Sequence, residues 1–83
     1  MGASIVGTAV GPIEAVVDGS GSAVLLVHGT PGSWRQLVPI GEDLVAEHTV
    51  VLPSRPGYGR TPLGAGRTPA AQADAHAALL DAI

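Results

Sequence analysis

The chain has no cysteine, no phenylalanine and no lysine among its 83 residues. Without cysteine there is no disulfide and no thiolate metal site. Without lysine the only cations are four arginines against seven acidic residues, a net charge of −3. No basic stripe exists, so neither nucleic acid nor an anionic membrane is expected as a partner. Without phenylalanine, and with one Trp and one Tyr, the core has to be built from Ala, Val, Leu and Ile. Side chains this small fill a sheet interior only when other layers cover both faces. No apolar run approaches the length of a membrane span. The N-terminus lacks the basic segment of a secretory leader, and Val6 stands where a myristoylation signal has Ser or Thr. A soluble cytoplasmic protein is expected.

What is present is apolar for its size, with 46% hydrophobic residues and 13% charged ones. A chain of this length buries only about 60–65% of its unfolded surface. The excess of small apolar residues suggests a partial domain, spanning 1–83, that expects more protein around it.

The organising stretch is residues 23–34, Ala-Val-Leu-Leu-Val-His-Gly-Thr-Pro-Gly-Ser-Trp. Its unbroken apolar half reads as a strand covered on both faces. The bend after it lies where open α/β sheets place their ligands. Ahead of it, residues 5–10 and 13–17 are β-prone and separated by Gly11-Pro12, which predicts an antiparallel pair with its turn there. Ile13, Ala15 and Val17 share one face, and Glu14 and Val16 the other. The polar segment 18–22 reads as a plain turn.

After the bend, Ser33 and Gln36 fit a capping box, and Pro39 starts a second helix with Ile40, Leu44 and Val45 on its apolar side. Residues 48–52 are a further β-branched run, so strand, helix and strand form a βαβ unit with parallel strands. Residues 54–66 carry four Gly and two Pro and read as a surface loop, Ser54 included. Thr68 as N-cap and Pro69 at the first position open a helix that runs to Ile83. Its apolar stripe is expected at Ala73, Ala77 and Leu80, flanked by Leu79 and Ile83.

Two segments could carry chemistry. In His28-Gly29-Thr30-Pro31-Gly32 the glycines allow a sharp bend, and Pro31 has no N–H, so Thr30 offers the free backbone donor. Such a donor at a strand end suits a developing oxyanion; a plain β-to-α turn is the competing reading. His28 reads as a structural histidine buttressing the bend. In residues 53–62 Tyr58 could wall a pocket. The glycines there fit no dinucleotide pattern, since Gly57-x-Gly59-x-x is followed by Pro62, and no lysine completes a phosphate loop. A small nucleotide-binding βαβ module is the weaker alternative.

Residues 24–34 and 51–61 together resemble the N-terminal part of an α/β-hydrolase fold enzyme. The resemblance covers the chain from about Gly11 onward. It implies an antiparallel hairpin, a βαβ unit and a closing helix in an incomplete sheet. It implies esterase-like acyl hydrolysis in the complete enzyme, acting on a small ester-like substrate with no cofactor and no metal. It further implies an oxyanion-hole donor at Thr30, with His28, Gly29, Pro31 and Gly32 shaping the loop, and Trp34 and Tyr58 lining the pocket. Two departures stand out. Many members carry Asp where Ser54 stands. No serine here has Gly two residues away on both sides, so the G-x-S-x-G nucleophile elbow is missing. No residue of the chain is therefore assigned as nucleophile, catalytic acid or catalytic His, and the chain is expected to be inactive alone. The alternative is a non-catalytic half that docks a complementary chain.

Overall fold

A computed structural model describes residues 1–64 and 66–83. Strand β1 (Ser4–Thr8) pairs antiparallel with β2 (Gly11–Gly19), and β2 pairs antiparallel with β4 (Thr49–Pro53). Strand β3 (Ala23–Leu25) runs parallel to β4 on its other side, giving the order β1-β2-β4-β3. Leu26 N–H continues that ladder to Val51 C=O at 3.0 Å. The parallel strands and the antiparallel hairpin agree with the reading of the two apolar runs.

The hairpin turn differs from expectation. The register pairs Thr8 with Gly11, so Ala9 and Val10 form the turn, and Gly11 and Pro12 already lie in β2. The Thr8 hydroxyl is the cause: it donates to Gly11 C=O at 2.6 Å and accepts from Val10 N–H at 3.2 Å, closing the turn ahead of Pro12.

β4 is the centre of the sheet, and its alternation divides the core. Val51 faces a layer with Ile13, Ala15, Ala75 and Leu79. Val50 and Leu52 face the other, with Val16 and Trp34. Both sheet faces are thus covered, as the lack of large aromatics requires. The far layer is a 3-10 turn (Trp34–Leu37) followed by α1 (Val38–Leu44). Ile40, expected on the apolar side of α1, is instead 50% exposed. The helix lands through buried Gly41, where a Cβ would press Val50 at 3.1 Å and Leu52 at 3.3 Å. A close approach there turns Ile40 outward.

The near layer is α2 (Pro69–Ala82), started by Thr68, whose Oγ1 accepts from Ala71 N–H at 3.0 Å. The sheet-facing stripe is Ala75, His76 and Leu79; Ala73, Ala77, Leu80 and Ile83 are exposed. The expected stripe was therefore one position out of phase. Leu79 rather than Leu80 seats against Ile13 and Val51, and it rotates the helix by about the 100° that one residue spans.

Candidate functional site

The loops that leave β3 and β4 run side by side past the carboxyl ends of these parallel strands. The loop after β3 is tied down at three points. His28 is buried, and its Nε2 accepts from Arg55 N–H at 2.9 Å while its Nδ1 lies 2.6 Å from Gly29 C=O. An acceptor at Nε2 and a carbonyl at Nδ1 assign the Nδ1–H tautomer. Both ring nitrogens are spent on structure, in line with a buttressing role. Gly29 N–H donates to Gln36 Oε1 at 2.6 Å. Gln36 therefore does not close a capping box; Ser33 caps alone, accepting from Arg35 N–H at 3.3 Å.

Thr30 is the third point. Its Oγ1 accepts from Arg55 Nη1 at 2.9 Å and from the Tyr58 hydroxyl at 3.1 Å. Among the described residues its backbone N–H meets no protein acceptor. The Thr30–Pro31 peptide is cis, and Thr30 is exposed. Gly32 packs with Gly29 C=O and His28 Nδ1 each 3.0 Å from where a Cβ would stand, so a side chain there would have to push the bend aside by a few tenths of an ångström.

The loop after β4 supplies the opposite wall. Tyr58 sets its ring edge-on to His28, with centroids 5.2 Å apart at 79°. Tyr58 is thus brought together with His28 and Thr30. Trp34 is not: it is buried with Val16, Val50 and Leu52, and it borders a cleft shared with Met1, Glu14 and Arg60.

Ser54 is the clearest correction. Expected in a surface loop, it is 0% exposed. Its Oγ donates to Glu14 Oε1 at 2.9 Å and accepts from Trp34 N–H at 3.2 Å. The Glu14 carboxylate also accepts from Arg60 N–H at 3.0 Å and from Arg60 Nε at 2.9 Å. Glu14 N–H donates to Thr61 Oγ1 at 2.9 Å, and Ser54 N–H to Glu14 C=O at 2.8 Å. Burial pushes the Glu14 carboxyl up, but the hydrogen bonds from Arg60 and Ser54 outweigh it and hold the group below its ordinary value. Gly59 has φ +52°, and a Cβ there would strike Glu14 Oε1 and lie 2.6 Å from Ser54 Oγ. The loop can fold over this carboxylate only with glycine at that position. Buried under backbone and committed to Glu14, the Ser54 hydroxyl is closed to a substrate.

Sequence reasoning passed over Glu14, Arg55 and Gln72, and gave Gln36 a capping role in place of the contact it makes with Gly29. One signal was available for Glu14: it is the single acid inside an otherwise apolar strand run. For Gln36, Arg55 and Gln72, partners seven to twenty-five residues distant left no local trace. His76 lies on α2 beside this group, buried, with Nε2 unpartnered among the described residues. Burial first, then the Arg55 guanidinium and the His28 ring, push its pKa down. No cluster of three or more His, Cys, Asp or Glu side chains that could hold a metal occurs among the described residues.

No family model matches the chain, and no curated protein gives a significant match. Solved structures do. An α/β-hydrolase fold protein from Nakamurella multipartita superposes with a TM-score of 0.88 at 43% identity, over 96% of this chain and 28% of that one. An epoxide hydrolase from an endophytic Streptomyces gives 0.82 at 29% identity, over 96% and 25%. A thermophilic esterase from Thermogutta terrifontis gives 0.77 at 31% identity, over 98% and 32%. The chain thus spans about a quarter to a third of the length of these proteins. Its strand order, its parallel β3–β4 pair and these superpositions agree: the 83 residues carry the N-terminal portion of the α/β-hydrolase fold.

Proposed function

We propose that the chain supplies the oxyanion-hole side of an esterase-like hydrolytic site. The observation that supports it is the Thr30 N–H, which meets no protein acceptor among the described residues, in the bend after β3 on a loop anchored by Gln36, His28 and Arg55. In the complete site a nucleophile outside these residues attacks the acyl carbon of a small ester-like substrate. The carbonyl electron pair moves onto oxygen, and Thr30 N–H stabilises that charge together with a donor from the nucleophile's own segment. Such donors act only on charge that a nucleophile creates. This chemistry needs no cofactor, and it fits a soluble cytoplasmic setting. The solved hydrolases of the same fold support the hydrolase class. The purified chain should not turn over a p-nitrophenyl ester above the buffer background. Saturable turnover abolished by a serine-directed inhibitor would refute the reading.

A second reading has its own observation. Leu26 N–H turns toward β4, so by the two-residue period Leu25 and Val27 present their backbone groups to the open side of β3. Val27 is 44% exposed there. An open edge of this kind accepts a further strand, and a complementary chain bearing the nucleophile would pair along it. A separate downstream frame encoding a G-x-S-x-G segment favours docking; one continuous frame rules it out.

A further inference from the structure

We propose that Arg55 is a positioning residue, a strap that lets helix α2 hold the Thr30 loop in its donor-presenting pose. The inference rests on the oxyanion-hole reading for its purpose, but its geometry stands independently. Arg55 contacts the loop after β3, the Tyr58 ring and α2. Its backbone N–H meets His28 Nε2 at 2.9 Å, its Nε meets Gln72 Oε1 at 3.0 Å, and its Nη1 meets Thr30 Oγ1 at 2.9 Å. Its guanidinium lies 5.4 Å from the Tyr58 ring centroid. Gln72 is fixed in turn, donating from Nε2 to Gly66 C=O at 3.1 Å.

The planar guanidinium makes this a rigid link. Nε and Nη1 are held in one plane, so the position of Gln72 on α2 dictates where Thr30 Oγ1 can sit. The other hold on the tip, the Tyr58 hydroxyl at 3.1 Å from the same Thr30 Oγ1, belongs to a ring that the Arg55 guanidinium itself packs against. Pro31 has no N–H to give, and Gly29 N–H is already spent on Gln36. The Thr30 side chain is therefore the handle by which the tip is gripped, which leaves its backbone N–H free. A lysine could reach one of the two partners but not both, since it offers a point charge on a flexible stem.

The test is ¹⁵N relaxation of the full chain with four variants: Arg55→Ala, Arg55→Lys, Gln72→Leu and Gln72→Glu. In the parent the Thr30 amide should have an order parameter of about 0.85, and in Arg55→Ala and Gln72→Leu it should fall below about 0.6. Arg55→Lys should not restore it. Gln72→Glu should restore it in part, because a carboxylate still accepts from Arg55 Nε but can no longer donate to Gly66 C=O. Unchanged amide shifts at Val50, Val51 and Leu52 certify an intact sheet in each variant. A Thr30 amide that stays rigid in Arg55→Ala and Gln72→Leu, with the sheet intact, overturns the strap. The relaxation result is independent of the ester assay. Turnover by the isolated chain would sink the oxyanion-hole reading and leave the strap standing.

Discussion

Replacing Ser54 by Ala deletes a single oxygen, and the structure makes that oxygen costly. Ser54 Oγ donates to the Glu14 carboxylate at 2.9 Å, and a hydrogen bond to a charged group is worth about 1.5–3 kcal/mol. The same oxygen accepts from Trp34 N–H at 3.2 Å, and a buried donor left without a partner costs about 1–3 kcal/mol. Glu14 keeps its two bonds from Arg60, and relaxation recovers part of the loss, so the expected cost is about 2–4 kcal/mol. A chain of this length has a total stability of only about 4–12 kcal/mol. At about 4–8 °C per kcal/mol, Ser54→Ala should lower the melting temperature by about 10–30 °C. Circular dichroism melts, with urea titration as a second measure, read this directly. Ser20→Ala, an exposed change in the β2–β3 turn, is the control and should stay within about 0.5 kcal/mol. If Ser54→Ala matches that control, the buried network is not a stabilising unit and the reasoning fails.

Two further perturbations test other parts of the fold. Leu79→Ala removes a side chain that is 0% exposed against Ile13 and Val51, and should cost about 2–5 kcal/mol by urea unfolding, with a result under about 1 kcal/mol contradicting the phase assigned to α2. Acid should destabilise the protein in two steps, because the folded pKa is depressed for both Glu14 and His76, and the unfolded chain then binds protons more readily. Their stabilising contributions are present above the ordinary values of 6.5 for His76 and 4.5 for Glu14, and are lost as pH falls below each. Melts across pH should show His76→Leu removing the upper step and Glu14→Gln the lower, and an unchanged profile in either variant contradicts the assignment.

The elements were legible where side chains differ in kind along the chain. The apolar runs 23–27 and 48–52 announce strands, and Ser33 and Thr68 announce helix starts, because each contrasts with its neighbours. The second run is the buried strand expected, whereas the first, expected to be covered on both faces, is a three-residue edge strand with Ala23 and Val27 exposed, because no further strand lies beyond it among the described residues. The phase of α2 was not legible for the converse reason. Alanine occupies seven of the fourteen positions Pro69–Ala82, and alanine favours neither face. The choice rests on whether Leu79 or Leu80 meets the sheet, which only the hole between Ile13 and Val51 decides. Ile40 differs similarly: its local pattern points inward, but α1 meets the sheet through Gly41 and Ile40 is left half-exposed. At the site, the bend itself could be read from Gly29, Pro31 and Gly32. The groups that hold Thr30 in place, Arg55 and Gln72, lie 25 and 17 residues from their respective partners and have no local periodicity to betray them.

An Asp expected at 54 from the resemblance is missing, which on the sequence alone puts the loop after β4 in doubt. The structure places a carboxylate at the foot of that loop from a different strand. Glu14 of β2 reaches under Gly59 and accepts from Arg60 N–H, while Ser54 spends its hydroxyl on the same oxygen. An Asp at 54 would set a second buried carboxylate against Glu14, and two such charges cannot both remain ionised. Serine at 54 instead fits beside Glu14, donating to its carboxylate at 2.9 Å. The loop keeps an anion at its foot, and Tyr58 and Arg55, which it carries, stay in reach of Thr30.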